Sequence, residues 1–156
     1  MAKMRHLSDS NMSGRCFYYA LKWYWVKNMK DRYVYYNPNF KNKRVGDCVV
    51  RAISKALNQS WETSYMILCV EGYCMADMPS SNAVWDALLK KNGFIREVIP
   101  NECNDCYTVE DFCEDYPDGV YVVGTGSHAI AVVNGHYFDA WDSGREQPIY
   151  YYRRSE

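Results

Sequence analysis

Along CVVRAISKAL, residues 48–57, apolar side chains recur as Val49, Ile53 and Leu57, at i, i+4 and i+8, and predict one face of a helix. Ser60 stands as an N-cap before WETSYMILCVEGYCM, where Tyr65, Leu68 and Cys69 make the apolar stripe and Gly72 weakens the far end. Ser81 opens a third helical pattern, NAVWDALLKKNG, with Val84, Trp85 and Leu88 inward and Gly93 as its stop. The period then changes. FIREVI predicts a short strand, TVEDFCEDY a short helix with Thr108 and Asp111 at capping-box spacing, and GVYVVGT, HAIAVV and YFDAW three strands. A final PIYYYRR adds another, whose Tyr and Arg residues read as a sheet edge. Helices first and an antiparallel sheet afterwards make an α+β protein in two layers, an N-terminal helical layer packed on a C-terminal sheet.

Between HAIAVV and YFDAW stands Asn134-Gly135, the dipeptide that a type I′ hairpin turn prefers because both central residues need positive φ. With that turn, Val133 faces His136 and every cross-strand pair sums to 269. His128 then lies opposite Trp141, and Asp139 opposite Ile130, two positions from His128 on the same face. Asp139 is thereby the carboxylate within reach of the His128 imidazole. A bulge in either strand would reverse the parity and bring Asp142 there instead.

Composition narrows the class. With 156 residues, 48% hydrophobic and 24% charged, the chain can bury the core of a single domain. No run approaches the roughly 18 apolar residues of a membrane span, and the first 30 residues carry no signal-peptide apolar centre, so a soluble, cytoplasmic protein is expected. Seven cysteines, an odd number without a regular framework, point to reduced thiols. The net charge of -1 hides an asymmetry: residues 1–45 hold ten Lys or Arg against two acids, and the remainder eight against seventeen. The basic, aromatic-rich segment 1–36 is set apart from a domain over 37–156. It can track a nucleic-acid backbone or pack its rings on the domain and solvate its lysines. The acidic body argues against nucleic acid as a partner.

Cys48 follows Gly46-Asp47 and opens the first helix, where it serves either as a small apolar residue or as a nucleophile. A thiol in the first turn meets the positive end of the helix dipole, which favours thiolate. With an imidazole beside it, thiolate and imidazolium can attack an acyl carbon and then protonate the leaving group. His128 sits after the flexible GTGS with a carboxylate to fix its tautomer, whereas His136 falls in the turn and His6 near the terminus. An oxyanion hole needs the Cys48 backbone N–H and a side-chain amide. Asn42 is six residues upstream, with Asn39 and Asn37 in reserve.

Cysteine opening a long helix, histidine starting a strand, then Asp followed two positions later by Trp resembles the papain-like cysteine peptidase superfamily. It is most similar to its small bacterial or phage members, such as the bacteriocin-processing peptidases. The resemblance rests on GDC before a helix, SHAIAVV and YFDAW, and spans Asn37 to Trp141. It implies a thiol protease of the cytoplasm that hydrolyses a peptide or isopeptide bond of a peptide or protein substrate through a Cys48 acyl-enzyme. His128 is then the base and acid, Asp139 the orienting group and Trp141 a shield over both. Asn42 holds the oxyanion-hole position, where the family usually has Gln. No cofactor or metal is implied. The superfamily also includes acyltransferases, transglutaminases and inactive members, so a second reading stays open: a phage or mobile-element binding or inhibitor protein on the same fold that recruits a host partner.

Cys103 and Cys106 form a C-x-x-C near Cys113, with Cys69 and Cys74 upstream. They could hold zinc, but the second pair is spaced by four within a helix and no second C-x-x-C exists, so Cys69 and Cys113 read as small core residues.

Overall fold

The computed structural model describes residues 31–100 and 107–155. A short strand β1 (Tyr33–Tyr35) leads by a loop to three helices, α1 (Cys48–Ala56), α2 (Trp61–Met75) and α3 (Asn82–Lys91). Strand β2 (Phe94–Val98) and helix α4 (Val109–Asp115) follow, then β3 (Val120–Gly124), β4 (Ala129–Val133), β5 (His136–Asp139) and β6 (Tyr150–Arg154). Several ends carry their expected chemistry. The Ser60 side chain accepts from the Thr63 N–H, and Thr108 and Asp111 complete a reciprocal capping box. Gly93, just past α3, takes a φ of 78°, the left-handed conformation that ends a helix.

The six strands form one mixed sheet in the order β1-β5-β4-β3-β6-β2. The β4–β5 hairpin turns on Asn134 (φ 50°) and Gly135 (φ 69°) and pairs Val133 with His136, Val132 with Tyr137 and Ala131 with Phe138. Three expectations are corrected here. The sheet is not wholly antiparallel, because β1 runs parallel to β5, pairing Tyr35 with Asp139. Its first strand thus comes from the stretch before Asn37. Strand β6 is not an edge but lies between β3 and β2, with Tyr150, Tyr151 and Tyr152 all buried. And the layers number three.

Strand alternation sends side chains to two cores. On one face Val122, Ala129, Ala131, Tyr150 and Tyr152 pack with Val49, Ile53, Leu68, Trp85 and Leu89 of α1–α3. On the other, Val123, Ile130, Val132 and Tyr151 pack with Val109, Phe112 and Cys113 of α4. Helix α1 is the innermost, buried at Val49, Val50, Arg51, Ala52, Ile53, Ser54 and Ala56. Of the stripe expected on α2, Leu68 is buried but Tyr65 is exposed, because its ring stacks on Trp61 instead of entering the core. Among the described residues no helix is long and apolar enough to cross a membrane.

Candidate active site

Cys48 is the first residue of α1, partly buried at the end where the first backbone N–H groups lack partners within the helix. Its thiol is hydrogen-bonded to His128 and receives the Ala129 backbone N–H. His128, just ahead of β4, donates from Nε2 to Asp139 Oδ2 at 2.5 Å, which leaves Nδ1 for the sulfur. Asp139 is 1% exposed and ends β5. The hairpin thus brings His128 and Asp139 together, and α1 brings Cys48 to them.

Their direction was not given by alternation. Ile130 faces the α4 side while His128 contacts α1, although the two differ by two positions. Both polar residues stand at strand ends, His128 before β4 and Asp139 last in β5, where ladder geometry no longer dictates side-chain direction.

Behind the carboxylate lies a buried ionic network. Arg51, 3% exposed, donates from Nη2 to Asp139 Oδ1 at 3.0 Å and from Nη1 to Asp47 Oδ1. Asp47 Oδ2 accepts from Trp61 Nε1 at 2.8 Å. Asp139 Oδ1 also accepts from the Ala140 N–H at 2.7 Å. Trp141 stacks on His128 with ring centroids 4.4 Å apart and planes at 27°, and the Arg51 guanidinium sits 5.3 Å from its ring centre. Sequence reasoning overlooked Asp47 and Arg51 as site residues, although their i, i+4 spacing across a helix start was a signal for the pair.

The electrostatics follow from these contacts. Burial pushes the Cys48 thiol up, but the His128 and Ala129 hydrogen bonds and the charges of His128 and Arg51 more than offset it, and its pKa falls below 9.0. Burial alone would lower His128, yet its bonds to Asp139 and Cys48 raise it to about 9. Asp139 ends below its ordinary value: burial raises it, and the His128 bond and charge outweigh that. An anionic sulfur beside a cationic imidazole is the arrangement these shifts favour.

The thiol opens into a cavity of about 260 Å³ lined by Cys48, His128, Ser80, Asn82, Ser127 and Tyr150 among others. Gly124 is required at its edge, since a Cβ there would overlap the Tyr150 ring. The Asn82 amide oxygen accepts from Trp85 Nε1 at 3.1 Å, which turns its NH₂ away as a remaining donor.

Asn42 is elsewhere. It is exposed, at φ 52°, and its amide oxygen accepts from Asn37 Nδ2 at 3.2 Å. The Asn39 side-chain oxygen accepts from the Lys41 and Lys43 N–H groups, so the three amides fold the loop ahead of Cys48. Asp142, the other candidate carboxylate, accepts from the Tyr137 hydroxyl at 2.6 Å and from the Gly144 N–H. Cys103 and Cys106 lie outside the described residues, and among those described no cluster of His, Cys, Asp and Glu could hold a metal ion. No protein-family model, no curated protein and no solved structure matches the chain.

Proposed function

We propose that the chain is a papain-like thiol hydrolase that cleaves a peptide or isopeptide bond. The single observation that carries this reading is the hydrogen-bonded series Cys48–His128–Asp139 at a helix N-terminus, with the thiol lowered and the imidazole raised. The Cys48 thiolate attacks the carbonyl carbon, forming the C–S bond, and the oxyanion is met by the Cys48 backbone N–H and the Asn82 amide. His128 gives its proton to the leaving nitrogen as the C–N bond breaks. It then takes a proton from water, whose oxygen attacks the thioester, and as the C–S bond breaks the acid leaves and the thiolate is restored beside the imidazolium. Asp139 holds the imidazole by Nε2, Arg51 holds Asp139, and Trp141 screens the ring from water.

The test is mass spectrometry after limiting treatment with a peptidyl electrophile. Modification centred on Cys48, absent in Cys48→Ala and reduced about 100-fold or more in rate in His128→Ala, is the expected result. Equal modification of Cys48, Cys69 and Cys74 would remove the hydrolase reading and leave the second one, a binding protein with a vestigial triad. One observation favours that alternative: α2 exposes Met66, Val70 and Tyr73, the last at 88%.

A further inference from the structure

Helices α2 and α4 are closed at their N-termini by side chains, and α1 is not. Ser60 and Thr108, with extended backbones (ψ 159° and 170°), turn their hydroxyls onto the N–H groups of Thr63 and Asp111. Ser81 ahead of α3 makes no such bond, but its backbone is extended too (ψ 139°) and its hydroxyl donates to Asp77. Asp47 holds the same position on α1, its carbonyl accepting the Arg51 N–H at 2.9 Å, yet at ψ 25° its carboxylate makes no bond to the helix. Aspartate is among the residues a helix start prefers, so stronger partners must draw that carboxylate away. Two do: Arg51 Nη1 takes Oδ1 and Trp61 Nε1 takes Oδ2 at 2.8 Å, which leaves the residue 6% exposed. No acid stands in the first turn. The N–H groups of Cys48, Val49 and Val50 therefore find no acceptor among the described residues, and Cys48 and Val49 line the cavity of about 260 Å³.

We infer that Trp61 is a positioning residue that acts through Asp47: with Arg51 it holds that carboxylate off the start of α1, so that the first N–H groups of the helix stay open to the anionic Cys48 sulfur and to the oxyanion. The inference rests on the thiol-hydrolase reading. A carboxylate closing this helix end would set another negative charge beside a sulfur and an oxygen that must each carry one, and would oppose the positive end of the helix dipole. Held inward, the same charge balances Arg51, whose other nitrogen, Nη2, bonds Asp139. The charges that bear on the sulfur, His128 and Arg51, then both favour the anion. Trp61 is the point of release, because the indole N–H holds Oδ2 while Arg51 holds Oδ1.

The experiment follows the rate of Cys48 alkylation by iodoacetamide against pH, read by mass spectrometry of the full chain, in wild type, Trp61→Phe, Asp47→Asn and the double variant, with denaturant unfolding measured alongside. A small reagent keeps the apolar contacts of the Trp61 ring out of the rate. Trp61→Phe retains a ring against Tyr65 and removes the indole N–H, so Oδ2 loses its donor and turns to the unpaired N–H groups of α1. The expected result is a higher pH midpoint of alkylation and a rate at neutral pH lower by about threefold or more. Adding Asp47→Asn removes the charge and brings the midpoint back to the wild-type value or below it, a rescue that lost packing alone would not show. Asp47→Asn by itself gives a midpoint no higher than wild type, which tests the role without a change at Trp61. A midpoint unmoved by Trp61→Phe, whatever its stability, overturns the positioning role and leaves the hydrolase reading standing. So does a midpoint raised by Asp47→Asn, or a rise in Trp61→Phe that Asp47→Asn fails to reverse. Alkylation of wild-type Cys48 no faster than that of exposed Cys74 overturns both.

Discussion

Two cysteines flank the same sheet and meet opposite fates. Cys113 on α4 is fully buried among Phe112, Val132 and Tyr137, and burial drives its thiol up to about 12 with only Arg32 opposing. Cys48, on the other side, suffers burial too, but an imidazole, a backbone N–H and a guanidinium reverse the outcome. Burial alone holds a thiol protonated, and burial with directed donors favours the thiolate. The surroundings differ in the same sense. The α4 side holds tyrosines whose hydroxyls are paired, Tyr116 with Tyr151 and Tyr151 with Glu97. The α1 side buries formal charges in sequence, Asp47, Arg51, Asp139 and His128.

The sharpest way to break the contrast is to take the cation out of that series. Arg51→Met leaves Asp47 and Asp139 buried without their shared partner and should cost about 3–5 kcal/mol in denaturant unfolding. A loss below about 1 kcal/mol would show that the guanidinium does not bridge them. Asp139→Asn keeps the shape and removes the charge that raises His128, so the His128 pKa falls from about 9. A raised histidine stabilises the fold fully below its unfolded value near 6.5 and loses that contribution as pH rises through its raised value, whereas the lowered Cys48 gains stability over the same window; in a Cys48→Ala background, where the thiol no longer offsets it, stability should therefore decline as pH rises from 6.5. In that background Asp139→Asn should decline over a narrower, more acidic window, as read by melting temperature against pH. The smallest effect belongs to the protonated thiol. Cys113→Ala should cost about 1 kcal/mol for the lost sulfur and leave Cys48 reactivity unchanged.

Some of this was legible before any coordinates. Asn134-Gly135 set the hairpin register, since a two-residue turn fixes parity at once, but alternation from that register puts the Asp139 position with Ile130 on the α4 side, and only the ends of the strands turn Asp139 and His128 toward α1. Ser60, Thr108 with Asp111, and Gly93 marked element ends through local chemistry alone. What escaped depends on distant partners. Strand β1 is three residues long and exists because β5 offers it a ladder. The tyrosines of β6 resembled an edge because a tyrosine shows a polar tip whether or not its ring is buried. Here the Tyr152 hydroxyl reaches Asp86 and that of Tyr151 reaches Glu97. Arg51 read as one more charge on a helix, and only the return of β5 beside α1 gives it Asp139. The Asn42 position followed chain spacing from Cys48, whereas the cavity draws its amide, Asn82, from the start of α3.

The central claim is that Cys48 and His128 titrate as a pair, and the direct measurement is Cys48 thiolate absorbance against pH, in a background where the other cysteines are replaced by serine or alanine, with and without His128→Ala. The paired site predicts that thiolate forms below pH 9.0 in the wild type, and that His128→Ala moves the transition up to or above that ordinary thiol value. A single transition at that ordinary value, unmoved by His128→Ala, would contradict it.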